Sequence, residues 1–180
     1  MGRNAANIIV LSVLLTSALA STAVNGQEIE THYATLVYDN VEYLRQFNNR
    51  VLPQNISCRI SHHVDVVEEA DEARCRLDAT VDRVEAILNI FPRSLHFTLV
   101  LLPSGRDVQN VYTWKYGKGP DYIGFYSPVD NTVYISANDV RIGVLAHELT
   151  HVILDKYFHR ALPATIQEVI AHYVESQINH

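Results

Sequence analysis

Val144-Leu-Ala-His147-Glu148-Leu-Thr-His151-Val-Ile-Leu154 is the stretch of this 180-residue chain best suited to do chemistry. His147 and His151 stand four apart, so on a helix they share one face and aim two imidazoles at one point. Glu148 lies about 100° further round, beside that point rather than on it. Two imidazoles at this spacing suit a zinc ion, and a carboxylate beside them can take a proton from zinc-bound water. A buried helix with two satisfied histidines is the competing reading. Ile142, Leu145, Leu149, Val152 and Ile153 form an apolar stripe that would bury one side of the helix and hold the ligands still.

A zinc site that does chemistry takes three protein ligands and leaves its fourth position to water, so one ligand must come from elsewhere. The continuation in which a Gly and a third His follow the motif closely is absent. Instead comes Ala164-Thr-Ile-Gln-Glu168-Val-Ile-Ala171-His-Tyr173, with Glu168 seventeen positions after His151. A second helix reached by a short turn would pack antiparallel on the first and bring Glu168 to the metal.

The scaffold for these ligands is legible as a series of short elements. With 48% hydrophobic and 19% charged residues, the chain suits one globular domain. A net charge of −6 without a basic run leaves no nucleic-acid footprint. Glu28 to Tyr38 reads as a first strand, and Asp39-Asn40 as the cap of a helix running to about Val51 and ended by Pro53. Val67, Ala70, Leu77, Val81, Val84 and Leu88 predict a long amphipathic helix from His63 to Ile90, with His62 and His63 on the surface. Leu95 to Leu102 has strand length; Arg106 to Tyr116 reads as a helix or an irregular cover, ended by Gly117, Gly119 and Pro120. Ile123 to Ser127, a turn at Pro128 to Asn131, and Thr132 to Ile135 read as a hairpin. Ser136 or Asn138 is placed to cap the His147–His151 helix, which runs to about Phe158, and Pro163 opens the last helix. The expected fold class is α+β, one compact domain with a small mixed sheet, an edge strand over the His147–His151 helix and a C-terminal helix carrying Glu168.

Residues 1–23 differ in kind. Arg3, an apolar run from Ile8 to Leu15 and the small-residue pattern Ala18-Leu19-Ala20 read as a secretory signal peptide cut near Ala20 or Ala23. An uncleaved membrane anchor is the alternative. The expected location is secreted or periplasmic, with no membrane contact after cleavage. There, Cys58 and Cys75 read as one disulfide closing a loop worth about 3 kcal/mol, against the alternative of two buried thiols. Asn55-Ile56-Ser57 is a glycosylation sequon that matters only in a eukaryotic source.

The pattern His-Glu-Leu-Thr-His, then a Pro, then Glu-x-x-Ala-x-Tyr resembles the gluzincin metallopeptidases, thermolysin among them, and within that group the compact peptidase MA-like domains. The resemblance implies a zincin-like domain over residues 27–180. It implies one Zn2+ ion held by His147, His151 and Glu168, with Glu148 as general base for peptide-bond hydrolysis. The hairpin resembles the edge strand and its neighbour that precede the catalytic helix in the group. An extended peptide or protein substrate would pair there with the backbone of Gly124, Phe125, Tyr126 and Ser127. The Gly-x-Met-Glu-Asn arrangement by which aminopeptidases of the group hold a free N-terminus is absent, which favours an endopeptidase.

The sequence departs from the group at three places. Val169 stands where Gly is frequent. His172 stands four after Glu168, where thermolysin-like enzymes place an acidic residue, so Glu175 or Asp155 is left to orient a ligand imidazole. With the chain ending at His180, the downstream segment that supplies transition-state donors is not expected. Tyr126, Tyr157, His159, His172 and Tyr173 are the candidates for that role, against ordinary packing or surface placement. Two rival functions stand beside the peptidase: a non-catalytic secreted zinc-binding or regulatory domain, and a domain whose histidines are incidental. The intact Glu148 counts against the first, because zinc retention alone does not need it.

Overall fold

In the computed structural model, residues 26–52, 58, 66–158 and 160–179 are described. Residues 1–23, where a signal peptide is expected, the sequon at Asn55, His62, His63 and His159 lie outside the described residues.

The run expected as one strand is two, β1 (Gln27–Glu30) and β2 (Ala34–Tyr38), paired antiparallel. Thr31 turns the chain between them. Its hydroxyl oxygen accepts from the N–H groups of Tyr33 (3.2 Å) and Ala34 (2.9 Å), and its own N–H donates to the Ala34 carbonyl at 2.8 Å. This side-chain turn competes with a continuous strand. Then come α1 (Val41–Arg50), capped by Asn40, whose Oδ1 accepts the Glu42 N–H at 2.9 Å, and the long α2 (Val66–Leu88). β3 (Phe97–Leu102), a regular helix α3 (Gly105–Tyr116), and the expected hairpin of β4 (Gly124–Ser127) and β5 (Thr132–Ser136) follow. The chain closes with α4 (Ile142–Tyr157) and α5 (Ala164–Gln177). The fold is α+β, with a mixed sheet in the order β1-β2-β3-β5-β4. β3 runs parallel to β2 and β5, and β4 is an antiparallel edge.

Register puts the apolar residues on one face: Leu36 lies beside Leu99, which lies beside Val133, and Tyr38, Leu101 and Ile135 repeat the row. Against it pack Phe47 of α1, Leu77 and Val81 of α2, Leu145, Leu149 and Ile153 of α4, and Val174 of α5. Phe125 and Tyr134 alternate with that set and stack 5.1 Å apart on the opposite face, where Tyr112 of α3 meets Phe125 edge-on at 5.2 Å. Leu145, Leu149, Val152 and Ile153 are buried, each at about 1.5–3 kcal/mol, and this fixes the rotation of α4.

Neither Ser136 nor Asn138 caps α4; Arg141 holds that position without a side-chain hydrogen bond. The Ser136 hydroxyl donates instead to Asp139 Oδ2 (2.6 Å), which also accepts the Gly105 N–H at 3.0 Å and so ties the approach to α4 to the start of α3. Pro163 stands at the N-cap of α5, one place before its first helical residue. Cys58 and Cys75 are disulfide-bonded, with Cα atoms 5.6 Å apart. Beside the disulfide, buried Arg76 pairs with Glu72 and donates to the Val51 carbonyl at 2.6 Å, pinning the end of α1. Among the described residues no helix is long and apolar enough to cross a membrane.

Candidate metal centre

α4 and α5 lie close because Gly143 has no side chain: a Cβ there would meet Glu175 Cγ at 3.2 Å. Gly143 faces Glu175 and His151 faces Gln167, so the helices run antiparallel. That pairing brings Glu168 between the two histidines. His147 Nε2 is 3.3 Å from Glu168 Oε2, and His151 Nε2 is 3.5 Å from Glu168 Oε1. Donors bound to one tetrahedral zinc at about 2.0–2.1 Å stand about 3.4 Å apart, so these three side chains fit one such ion. The His151 pKa is lowered, first by burial and then by the neighbouring His147, which favours the neutral, metal-binding imidazole.

Each imidazole also has an acceptor near its other nitrogen. Gln167 Oε1 is 3.3 Å from His151 Nδ1, and the Gln167 amide is itself held by donating to the Leu162 carbonyl at 2.8 Å. Glu175 Oε2 is 3.6 Å from His147 Nδ1 and 3.2 Å from His172 Nδ1. Glu175 therefore stands where an orienting carboxylate belongs, two turns beyond Glu168. Among the described residues Asp155 meets no imidazole; it takes the Tyr126 hydroxyl at 2.9 Å. His147, His172 and Glu175 form a second grouping with metal-ligand spacing. It draws on the same His147, and each trio has one exposed member; both Nε2 atoms face Glu168, which makes that trio the better cation site.

Glu148 sits beside this trio under the edge strand. Its Oε2 accepts the Tyr126 N–H at 2.9 Å, so that amide points away from β5. Burial pushes the Glu148 carboxyl up to about 8; the Tyr126 N–H opposes this, and Glu168 and Glu175 add to it. A cation among the three ligands would draw it back down. Gly124 makes the close approach possible, since a Cβ there would lie 3.2 Å from Ile135 Cγ1 and 3.5 Å from Glu148 Cγ.

A cleft of about 710 Å³ opens over these groups. Its floor is His147, Glu148 and His151; one wall is α5 with Ala164, Gln167, Glu168 and His172. Of the edge-strand residues, Phe125 and Tyr126 line it. Gly124 and Ser127 are buried, with Ser127 Oγ bonded to the Tyr116 hydroxyl (2.7 Å) and to Asp130. Of the candidate donors, His172 and Tyr126 line the cleft, but the Tyr126 hydroxyl is engaged by Asp155 and by Asn131 Oδ1 at 3.2 Å. Tyr157 and Tyr173 are exposed and not part of the lining. Sequence reasoning missed Gln167 and the opposite wall, made by Tyr112, Tyr116 and Tyr122. The one available signal for that wall was the spacing of Tyr112 and Tyr116, four apart and so on one helical face. Comparison with known protein families, curated proteins and solved structures finds no match, and the reading of the site rests on its geometry.

Proposed function

We propose that this chain is a zinc-dependent peptidase of the secreted or periplasmic space, an endopeptidase acting on extended peptide or protein segments. The observation that carries the reading is the convergence of His147 Nε2 and His151 Nε2 on the two oxygens of Glu168, with a buried Glu148 beside them. Zinc, when bound, supplies a Lewis acid for a water and for the peptide carbonyl. His147, His151 and Glu168 hold it, Gln167 keeps the His151 imidazole in register, and the Glu175 carboxylate stands 3.6 Å from His147 Nδ1. Glu148 takes the proton released as the water oxygen bonds to the carbonyl carbon. It returns that proton to the leaving nitrogen as the C–N bond breaks. The Tyr126 N–H fixes Glu148 at one oxygen for both transfers. β4 is the sheet edge beside the metal; with its Tyr126 N–H held by Glu148, an extended substrate would pair with the remaining outward backbone groups of that edge. The disulfide between Cys58 and Cys75 supports the oxidising compartment.

The test is digestion of a broad peptide mixture by the zinc-loaded protein, with and without chelator, beside Glu148→Gln. Cleavage that the chelator abolishes and Glu148→Gln lacks supports the reading. Cleavage that persists in either case removes it.

A further inference from the structure

We infer that the outer side of His147 is a second divalent-cation site, formed by His147 Nδ1, His172 Nδ1 and the Glu175 carboxylate. It takes a zinc-like ion in addition to the one proposed between His147, His151 and Glu168, and it does not depend on peptidase activity. One ligand atom from each of its three residues lies within 4.8 Å of the other two. Glu175 Oε2 is the common point, 3.2 Å from His172 Nδ1 and 3.6 Å from His147 Nδ1. Donors on one tetrahedral zinc stand about 3.4 Å apart, and these two separations bracket that value. The ring pairs match as well. His147 and His172 lie 4.9 Å apart at 67°, and His147 and His151 lie 5.0 Å apart at 63°. His147 therefore has an imidazole and a carboxylate to each side of its ring.

A surface pair of His172 and Glu175 does not account for this set. Residues three apart on α5 can pair without help from another helix, yet Glu175 Oε2 is shared with the largely buried His147 of α4. The backbone also places the carboxylate. Gly143 leaves the space that Glu175 occupies, since a Cβ there would lie 3.2 Å from Cγ and 3.7 Å from Oε1. The His172 side chain, 68% exposed, and that of Glu175, 40% exposed, open the site to solvent, so water can complete the coordination. With two nitrogens among three donors, the site suits zinc, nickel or copper, whereas calcium and magnesium take oxygen. When the inner ion is on Nε2, the Nδ1 of neutral His147 carries the proton. The outer ion displaces that proton to solvent and leaves His147 as an imidazolate between the two ions. That cost and the exposure make the outer ion the weaker one, lost on dialysis that keeps the inner one.

The test is equilibrium dialysis of untagged protein against buffered free zinc, counting metal per chain. As free zinc rises, the wild type should pass from one ion per chain to two. A lost ligand costs at least what a lost orienting partner does, about 10- to 100-fold. His172→Ala should therefore weaken the second equivalent about 10-fold or more while the first stays in place. Glu175→Gln, which keeps the shape beside Gly143, should weaken the second equivalent as well. Excess calcium or magnesium should leave the second zinc bound, and displacement by either overturns the nitrogen ligands. A second equivalent held as tightly by both variants as by the wild type is an adventitious ion only and overturns the site. A wild type that stays at one ion, with that ion kept by His172→Ala, overturns it too. A single ion lost by His172→Ala but kept by Glu168→Ala supports the outer site and removes the inner one. The two readings therefore fail separately, and protein that binds no zinc overturns both.

Discussion

Removing the side chain of Gln167 isolates one orienting contact of the proposed metal site. Its Oε1 lies 3.3 Å from His151 Nδ1, and its amide donates to the Leu162 carbonyl at 2.8 Å. Loss of a partner that orients a ligand imidazole costs about 10- to 100-fold in metal affinity. The contact is at the long end for an N–H···O bond, so Gln167→Ala should sit near the low end, about 10-fold or about 1.4 kcal/mol. The lost bond to Leu162 should separately cost the metal-free protein about 1 kcal/mol. Zinc affinity measured by competition with a chromophoric chelator reads the first effect, and urea unfolding of metal-free protein reads the second. Gln167→Glu keeps an acceptor for the imidazole but gives up the donor, so it should restore zinc affinity without restoring stability. Zinc affinity within twofold of wild type in Gln167→Ala would refute the assignment.

Gly143→Val would drive a branched side chain into Glu175, spreading α4 from α5 at a cost of about 1–3 kcal/mol; thermal unfolding and chelator competition should both register it. Replacing both Cys58 and Cys75 by Ala should lower unfolding free energy by about 3 kcal/mol for the 17-residue separation while leaving zinc affinity as it was, since the bridge lies away from the site. Burial alone would raise the Asp130 carboxyl, but hydrogen bonds from Lys115, Ser127 and Tyr134 and the Lys115 charge hold it below the ordinary aspartate value. Its contribution is therefore present above the unfolded pKa and lost as pH falls through the lower folded one. Asp130→Asn should cost about 1 kcal/mol at neutral pH, after allowance for solvent screening at a site about a third exposed, with the gap to wild type closing in acid; a gap independent of pH would contradict the ion pair.

The parts legible in the sequence are those set by local periodicity. His147 and His151 share a face because a helix repeats every 3.6 residues, and the stripe from Ile142 to Ile153 names the buried side. The β4–β5 hairpin was readable from its turn; Asn131 takes the positive φ of 54° that Asn tolerates. Hidden features depend on contacts far apart in sequence. The rotation of α5, set by Gly143 against Glu175 and by buried Ala171 and Val174, decides that Gln167 rather than Asp155 meets an imidazole. The aromatic wall forms only when α3 crosses the face of the sheet that carries Phe125. Thr31 broke the first strand by a side-chain turn that residue preferences alone do not separate from a continuous strand.

Zinc stoichiometry of protein prepared without a histidine tag tests the central claim most directly. One zinc per chain in the wild type, with His151→Ala and Glu168→Ala each losing most of it under the same dialysis and Glu148→Gln keeping it, is the predicted outcome. Zinc absent from the wild type, or retained in full by Glu168→Ala, would contradict the account.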